Sequence, residues 1–186
     1  MKIYWYGKTC FELVNNEKNQ EPVFIIIDPI DKTYPKKDTT VLLLSYALEY
    51  GKKEKPFTIS AQGEYEVKDI HFQAIPAEKG KLIFVIKCDH IKICHLGKLE
   101  QGELSENVLK ELGRIDILMV NAGEDDKTKM IKQIEPAIII PMDYDNIDLF
   151  LKKLGEKSIE PVDFYKVQKK DFEEVEEAKI VVLNKK

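Results

Sequence analysis

Three histidines and three cysteines are the side chains here most able to act as nucleophile, base or metal ligand, so their placement decides what chemistry is open. Cys94 beside His95 suggests a thiol with its general base, since imidazole titrates near neutrality and can activate a nucleophile. Adjacent residues of a strand point to opposite faces, however, so the two cannot share one cleft. The reading that follows is a core His95 holding a backbone carbonyl, with Cys10 packed rather than reactive. His71 and His90 fall at a strand start and a hairpin tip without a paired ligand at usable spacing, and read as surface residues. Glu124, Asp125 and Asp126 could hold a hard cation through oxygen ligands. Acids are also what the positive end of a helix attracts, and helix capping is the preferred account of them. Cys10, Cys88 and Cys94 are odd in number and form no Cys-x-x-Cys pair, which argues against a disulfide framework and a zinc knuckle.

Composition bounds the class of protein that carries these residues. At 186 residues and 44% hydrophobic content the chain has the size and apolar content of a single domain, 1–186. Charged residues make up 33% with both signs interspersed, for a net charge of -4 and a pI near 5.6. Basic stretches such as Lys52-Lys53-Glu54-Lys55 are diluted by acid, so no nucleic-acid face is expected. The first residues alternate like a strand and lack the apolar core of a signal peptide, and no apolar run is long enough to span a bilayer. A cytoplasmic protein without membrane partners is the expectation.

The elements that must position the candidate residues read as many hairpins followed by an alternating half. Residues 1–6 and 10–14 form a meander, 23–27 is an apolar strand stopped by Asp28-Pro29, and 39–44 is another buried strand. Strands at 57–61, 64–67, 70–75, 82–87 and 91–95 follow, with turns at Lys68-Asp69 and Asp89-His90. Ser105 should cap a helix that runs to Leu112 and is ended by Gly113. A strand at 115–120, a helix at 128–134, a strand at 137–140 and a helix capped by Asp145 or Asn146 and closed by Gly155 come next. A strand at 162–167, an acidic stretch at 171–177 and a strand at 180–183 finish the chain. This order implies two packed sheets with helices outside them.

Five motifs then stand in one order: Tyr4-Trp5-Tyr6-Gly7 with Cys10-Phe11, Ile26-Ile27-Asp28-Pro29, Gly63-Glu64-Tyr65-Glu66-Val67, Ile93-Cys94-His95-Leu96-Gly97, and Ile140-Pro141-Met142 next to Tyr144. As a set they resemble the metallo-β-lactamase superfamily, in its branch of small zinc-dependent hydrolases similar to ascorbate-6-phosphate lactonase. The resemblance implies an α+β fold, the four-layer αββα sandwich, with a two-metal site at one edge of the paired sheets and a metal-bound hydroxide that attacks an ester, lactone or phosphoester. It also locates departures. Where such hydrolases carry a His-x-His-x-Asp-His loop, this chain has Tyr46, Leu48, Tyr50 and Gly51. Lys8 stands in place of a histidine before the cysteine of the first hairpin, Lys98 in place of the metal-bridging aspartate after His95-Leu96-Gly97, and Asp143 in place of the histidine between Met142 and Tyr144.

A catalytic zinc needs about three imidazole, thiolate or carboxylate ligands. Tyrosine, leucine, glycine and an ammonium do not supply them, so no catalytic residue and no metal ligand is assigned, and no cofactor is expected. Lys8, Tyr46, Tyr50, Lys98 and Asp143 are the residues of the former active-site pocket, and Lys98 either pairs with Asp143 in place of the lost metal or is solvated, as Asp143 is, at a surface loop. Tyr46, Tyr50 and Tyr144 would crowd the pocket with aromatic rings or offer a surface to a partner. The leading expectation is a pseudoenzyme, a binding, scaffolding or regulatory protein with a protein partner or a second copy of itself. One alternative is a divergent hydrolase with zinc recruited through Asp28, Glu49, His95 and Asp143, or supplied across an oligomer interface. Another is a sensor in which Lys8 and Lys98 bind a small anion or sugar phosphate.

Overall fold

The computed structural model describes residues 1–16, 21–30, 38–47, 56–78, 80–123, 125–172 and 177–186. Two mixed sheets face each other across the core. The first takes β1 (Lys2–Gly7), β2 (Cys10–Asn15), β3 (Val23–Ile27), β4 (Val41–Leu43), β5 (Phe57–Ile59) and the short β12 (Tyr165–Lys166), in the order β12-β1-β2-β3-β4-β5. The second takes β6 (Gly63–Val67), β7 (Ile70–Pro76), β8 (Leu82–Cys88), β9 (Ile91–His95), β10 (Ile117–Asn121), β11 (Ile138–Met142) and β13 (Lys179–Ile180), in the order β13-β11-β10-β9-β8-β7-β6. Hairpin partners pair antiparallel, whereas β3-β4-β5 and β9-β10-β11 run parallel.

Period-two alternation divides the apolar residues between two layers. Ile3, Phe11 and Ile25 of the first sheet meet Phe72, Phe84 and Met119 of the second, in the core between the sheets. The opposite face of the second sheet, with Val85, Cys94 and Leu118, packs against α1 (Glu106–Leu112), α2 (Thr128–Ile134) and α3 (Asp148–Lys153). All three α-helices of the described residues therefore cover the outside of the second sheet. The outside of the first sheet carries a smaller cluster, Ile26, Leu42 and Leu44. The architecture is the expected α+β sandwich of paired sheets.

Local signals explain most boundaries. Ser105 accepts a hydrogen bond from the Val108 N–H and Gly113 closes α1 with φ +57°, as its sequence predicts. For α2 and α3 the side-chain acceptors sit two residues ahead of the first helical residue: Asp126 Oδ1 takes the Thr128 N–H at 2.9 Å, and Asn146 Oδ1 takes the Asp148 N–H at 2.7 Å. Asn146, rather than Asp145, does the capping. The strand expected at 162–167 is reduced to Tyr165–Lys166, with Val162 making a single bridge to Leu183. Among the described residues no helix is long and apolar enough to cross a membrane.

Candidate functional site

Ligands of open sheets gather where parallel strands end, and here the carboxyl ends of both parallel sets face one rim. That rim carries Asp28 after β3, Ser45 and Tyr46 after β4, His95 to Gly97 at the end of β9, Asn121 ending β10, and Asp143 and Tyr144 after β11. The β1–β2 turn at Lys8 and Thr9 joins them. Backbone and ring bonds tie the loops across the sheets: the Leu82 N–H donates to Ser45 O at 2.8 Å, His95 Nε2 meets Thr9 O at 2.9 Å, and the Asp143 N–H donates to Lys8 O at 3.2 Å.

Asp28 is fully buried and holds the start of the loop after β4. Its Oδ1 accepts the Ser45 N–H at 2.7 Å and its Oδ2 the Ser45 hydroxyl at 2.5 Å. Burial pushes its carboxyl up to about 6, with the Ser45 hydrogen bonds offsetting part of that rise. His95 is buried as well. Gly97 donates its N–H to Nδ1 at 3.1 Å, so Nδ1 is the acceptor and Nε2 carries the proton donated to Thr9 O. Burial pulls the imidazole down to about 4, which keeps it neutral. This is the core histidine on a backbone carbonyl that strand geometry implies. Cys94 points the other way, into the layer against the helices, and burial pushes its thiol up. None of the three cysteines forms a disulfide.

The remaining rim residues come together unevenly. Lys8 has a left-handed backbone (φ 48°), its carbonyl accepts the Trp5 indole N–H at 2.8 Å, and its side chain is exposed. Asp143 is also left-handed (φ 53°), and Asn121 Nδ2 lies 3.4 Å from its Oδ2. Tyr46 is half-buried. Burial pushes its phenol up, the Asp28 charge adds to that, and a Thr9 hydrogen bond works against it. Tyr144 stacks on Trp5 at 5.0 Å between ring centroids. Tyr50, Leu48, Glu49 and Gly51 lie outside the described residues, as does Glu124.

Of the two arrangements open to Lys98 and Asp143, this geometry rules out the pair: Lys98 is exposed, and no ion pair among the described residues joins it to Asp143. The chain turns at Gly97 (φ 63°) just before Lys98, and an exposed ammonium gains little from a surface partner beyond what water supplies. Gly97 itself is irreplaceable in shape, because a Cβ there would stand 2.8 Å from Leu82 O and from Ser45 Cβ and Oγ.

Three supporting residues went unnoticed in the sequence. Glu78 Oε1 accepts the N–H groups of Glu100 and Gln101, at 2.7 and 2.5 Å. Lys127, almost wholly buried, donates to the carbonyls of the same two residues at 2.8 Å each. Together they fix the loop that follows Lys98. A cation at the positive end of α2 opposes the helix dipole, and that anomaly was the available signal for Lys127. Asn121, one-twelfth exposed with its Oδ1 unsatisfied, gave no such signal.

The donor set of the described residues does not fit a dinuclear zinc centre. Among the described residues no three His, Cys, Asp or Glu side chains lie close enough to hold a metal ion. Of the retained motif residues, His95 uses both ring nitrogens and Asp28 both carboxylate oxygens inside the protein. Beside the rim, a cleft of about 400 Å³ is lined by Leu44, Ser45, Tyr46, Ser60, Gly80 and Leu82, with three hydroxyls and no charge among them.

Comparison with known proteins agrees with this frame. Residues 2–143 match the family model of the β-lactamase superfamily domain. A Thermotoga maritima protein described as a proposed Zn-dependent hydrolase of the metallo-β-lactamase superfamily shares 28% identity at a TM-score of 0.75, over 98% of this chain and 97% of its own. YhfI of Bacillus subtilis, a metallo-β-lactamase fold protein, superposes at 0.63 with 7% identity over 99% and 97% of the two chains. Igni18 of Ignicoccus hospitalis, described as a metallo hydrolase, does so at 0.57 with 14% identity over 90% and 99%. No curated protein matches the sequence. The order of strands, the carboxyl-end rim and the family match lead to one assignment: the chain belongs to the metallo-β-lactamase superfamily.

Proposed function

We propose that this protein has exchanged the dinuclear zinc site of its superfamily for an internally satisfied rim, and works as a binding, scaffolding or regulatory protein rather than a hydrolase. The observation that carries this reading is the division of labour among the rim residues. Asp28 and His95, which match the family motifs, spend their polar atoms holding loops, while the ligand positions carry Lys8, Tyr46 and Lys98. Ammonium groups repel a divalent cation, and a tyrosine whose phenol is pushed up does not ionise to bind one near neutrality. Cytoplasmic residence and association with a protein partner or a second copy belong to the same proposal.

One observation favours the second reading, a divergent hydrolase acting on an ester, lactone or phosphoester. Three non-glycine residues of the rim, Lys8, Asp28 and Asp143, hold left-handed backbones, and such conformations gather at active sites. Metal analysis of chelator-free protein, with turnover assays on a phosphodiester and a lactone, separates the two. The proposal expects substoichiometric metal and no turnover. Stoichiometric zinc or manganese together with turnover that a chelator abolishes overturns it.

A further inference from the structure

The outward face of the first sheet holds a cleft of about 440 Å³, remote in the fold from the carboxyl-end rim. One half of its floor is apolar, where Val14 and Phe24 stand opposite each other on β2 and β3, and Tyr4 with its cross-strand partner Glu12 forms the other half on β1 and β2. Three ammonium groups surround that floor. Lys2 and Lys166 are direct cross-strand partners on β1 and β12, where like charges destabilise the pairing unless something negative lies between them. Lys186 reaches over the Tyr4 ring at 4.3 Å and the Tyr6 ring at 5.6 Å, and Lys2 over Phe164 at 5.0 Å. Among the described residues none of the three lysines has an ion-pair partner.

Two carboxylates also line the cleft, Asp38 and the buried Glu12, whose Oε2 accepts the Tyr6 hydroxyl at 2.8 Å. Among the side chains of the lining, three ammonium groups stand against two carboxylates, an excess of positive charge in a chain whose net charge is -4. A cationic wall over an apolar floor, at a volume suited to a small molecule, recognises a ligand with the same two-part character.

We propose that this cleft binds a small organic anion with an apolar body. Its carboxylate or phosphate sits between Lys2 and Lys166, and its hydrocarbon or aromatic part lies on Val14 and Phe24. The site is independent of the zinc question, because none of its residues belongs to the rim.

Calorimetric titration of the full chain with phenyl phosphate and with octanoate tests it, with inorganic phosphate and phenol as controls. One or both of the organic anions should bind. Each control should bind at least about tenfold more weakly, since it lacks either the apolar or the charged half. The double variant Lys2→Gln/Lys166→Gln should weaken the organic anion at least about tenfold, and Lys98→Gln should leave it unchanged. Methyl NMR on the unmutated protein supplies a readout that does not depend on variant folding: the Val14 methyl resonances should shift with ligand. Absence of binding by both organic anions, equal binding of inorganic phosphate, unchanged affinity in the double variant, loss in Lys98→Gln, or a silent Val14 would each overturn the proposal.

Discussion

At the scale of single residues, Asp28 and His95 act on folding with opposite pH dependence. The Asp28 carboxyl is raised to about 6 from an ordinary 3.8, so its stabilising contribution is complete below that lower value and is lost as pH rises through about 6. The His95 imidazole is lowered to about 4 from 6.5, so its contribution is complete above 6.5 and is lost as pH falls through about 4. Shifts of similar size and opposite effect largely cancel between these limits. His95→Gln should unmask Asp28, so that urea midpoints of the variant rise on acidification from pH 7 to pH 5 relative to the parent. A variant that follows the parent curve would refute the balance. Gly97 makes a second residue-scale case. Gly97→Ala forces a side chain into a left-handed backbone and against Ser45 and the Leu82 carbonyl, for a loss of about 3 kcal/mol or more. Gly80→Ala, also at positive φ but with nothing within 4 Å, should cost only about 1–2 kcal/mol. Equal losses in the two variants, measured by urea unfolding, would mean that the contact at Gly97 relaxes freely.

At the scale of elements, the loop after Lys98 depends on a buried cation. Lys127→Met keeps the length of the side chain but strips two carbonyls, Glu100 O and Gln101 O, of their donor. A loss of about 2–3 kcal/mol is expected, with hydrogen-exchange protection falling over residues 98–104 while α3 keeps its protection. Loss spread evenly over both would show that Lys127 serves the whole fold instead. Elements differ in how far their sequence announces them. Ser105 and Gly113 bracket α1 because both capping interactions are local. Asp126 and Asn146 mark the starts of α2 and α3 with an offset of one turn residue, since each acts through a bond two residues on. The segment from 162 to 167 reads as a full strand from its apolar residues, but only Tyr165 and Lys166 find partners on β1, and that pairing is decided by distant residues. The same limit applies to the rim. The inward orientation of His95 follows from alternation along its strand, whereas the exposure of Lys98 depends on a left-handed turn at Gly97 and on where Asp143 is anchored by Lys8 O.

At the scale of the molecule, stability should be indifferent to metal. Protein groups tie the rim loops directly, Asp28 to Ser45, His95 to Thr9 O, Leu82 N–H to Ser45 O and Asp143 N–H to Lys8 O, and with the proposed loss of the zinc site the melting temperature should be the same with and without a chelator. A drop of several degrees on chelation would mean that a cation holds the rim closed. A consequence for redesign lies in how that rim is fixed. Lys8 and Asp143 are tethered to each other by main-chain atoms, and the backbone at Ser45 is gripped by Asp28, so these loops are anchored by bonds other than those of the side chains at positions 8 and 98. The exposed side chains of Lys8 and Lys98 are open to exchange without rebuilding the loops, whereas exchange of Tyr46 gives up a Thr9 hydrogen bond and exchange of Asp143 the 3.4 Å contact with Asn121 Nδ2. Placing histidines at positions 8, 46 and 143 and an aspartate at 98 would then ask whether the proposed loss of the metal site is reversed by side chains alone, with zinc uptake as the readout.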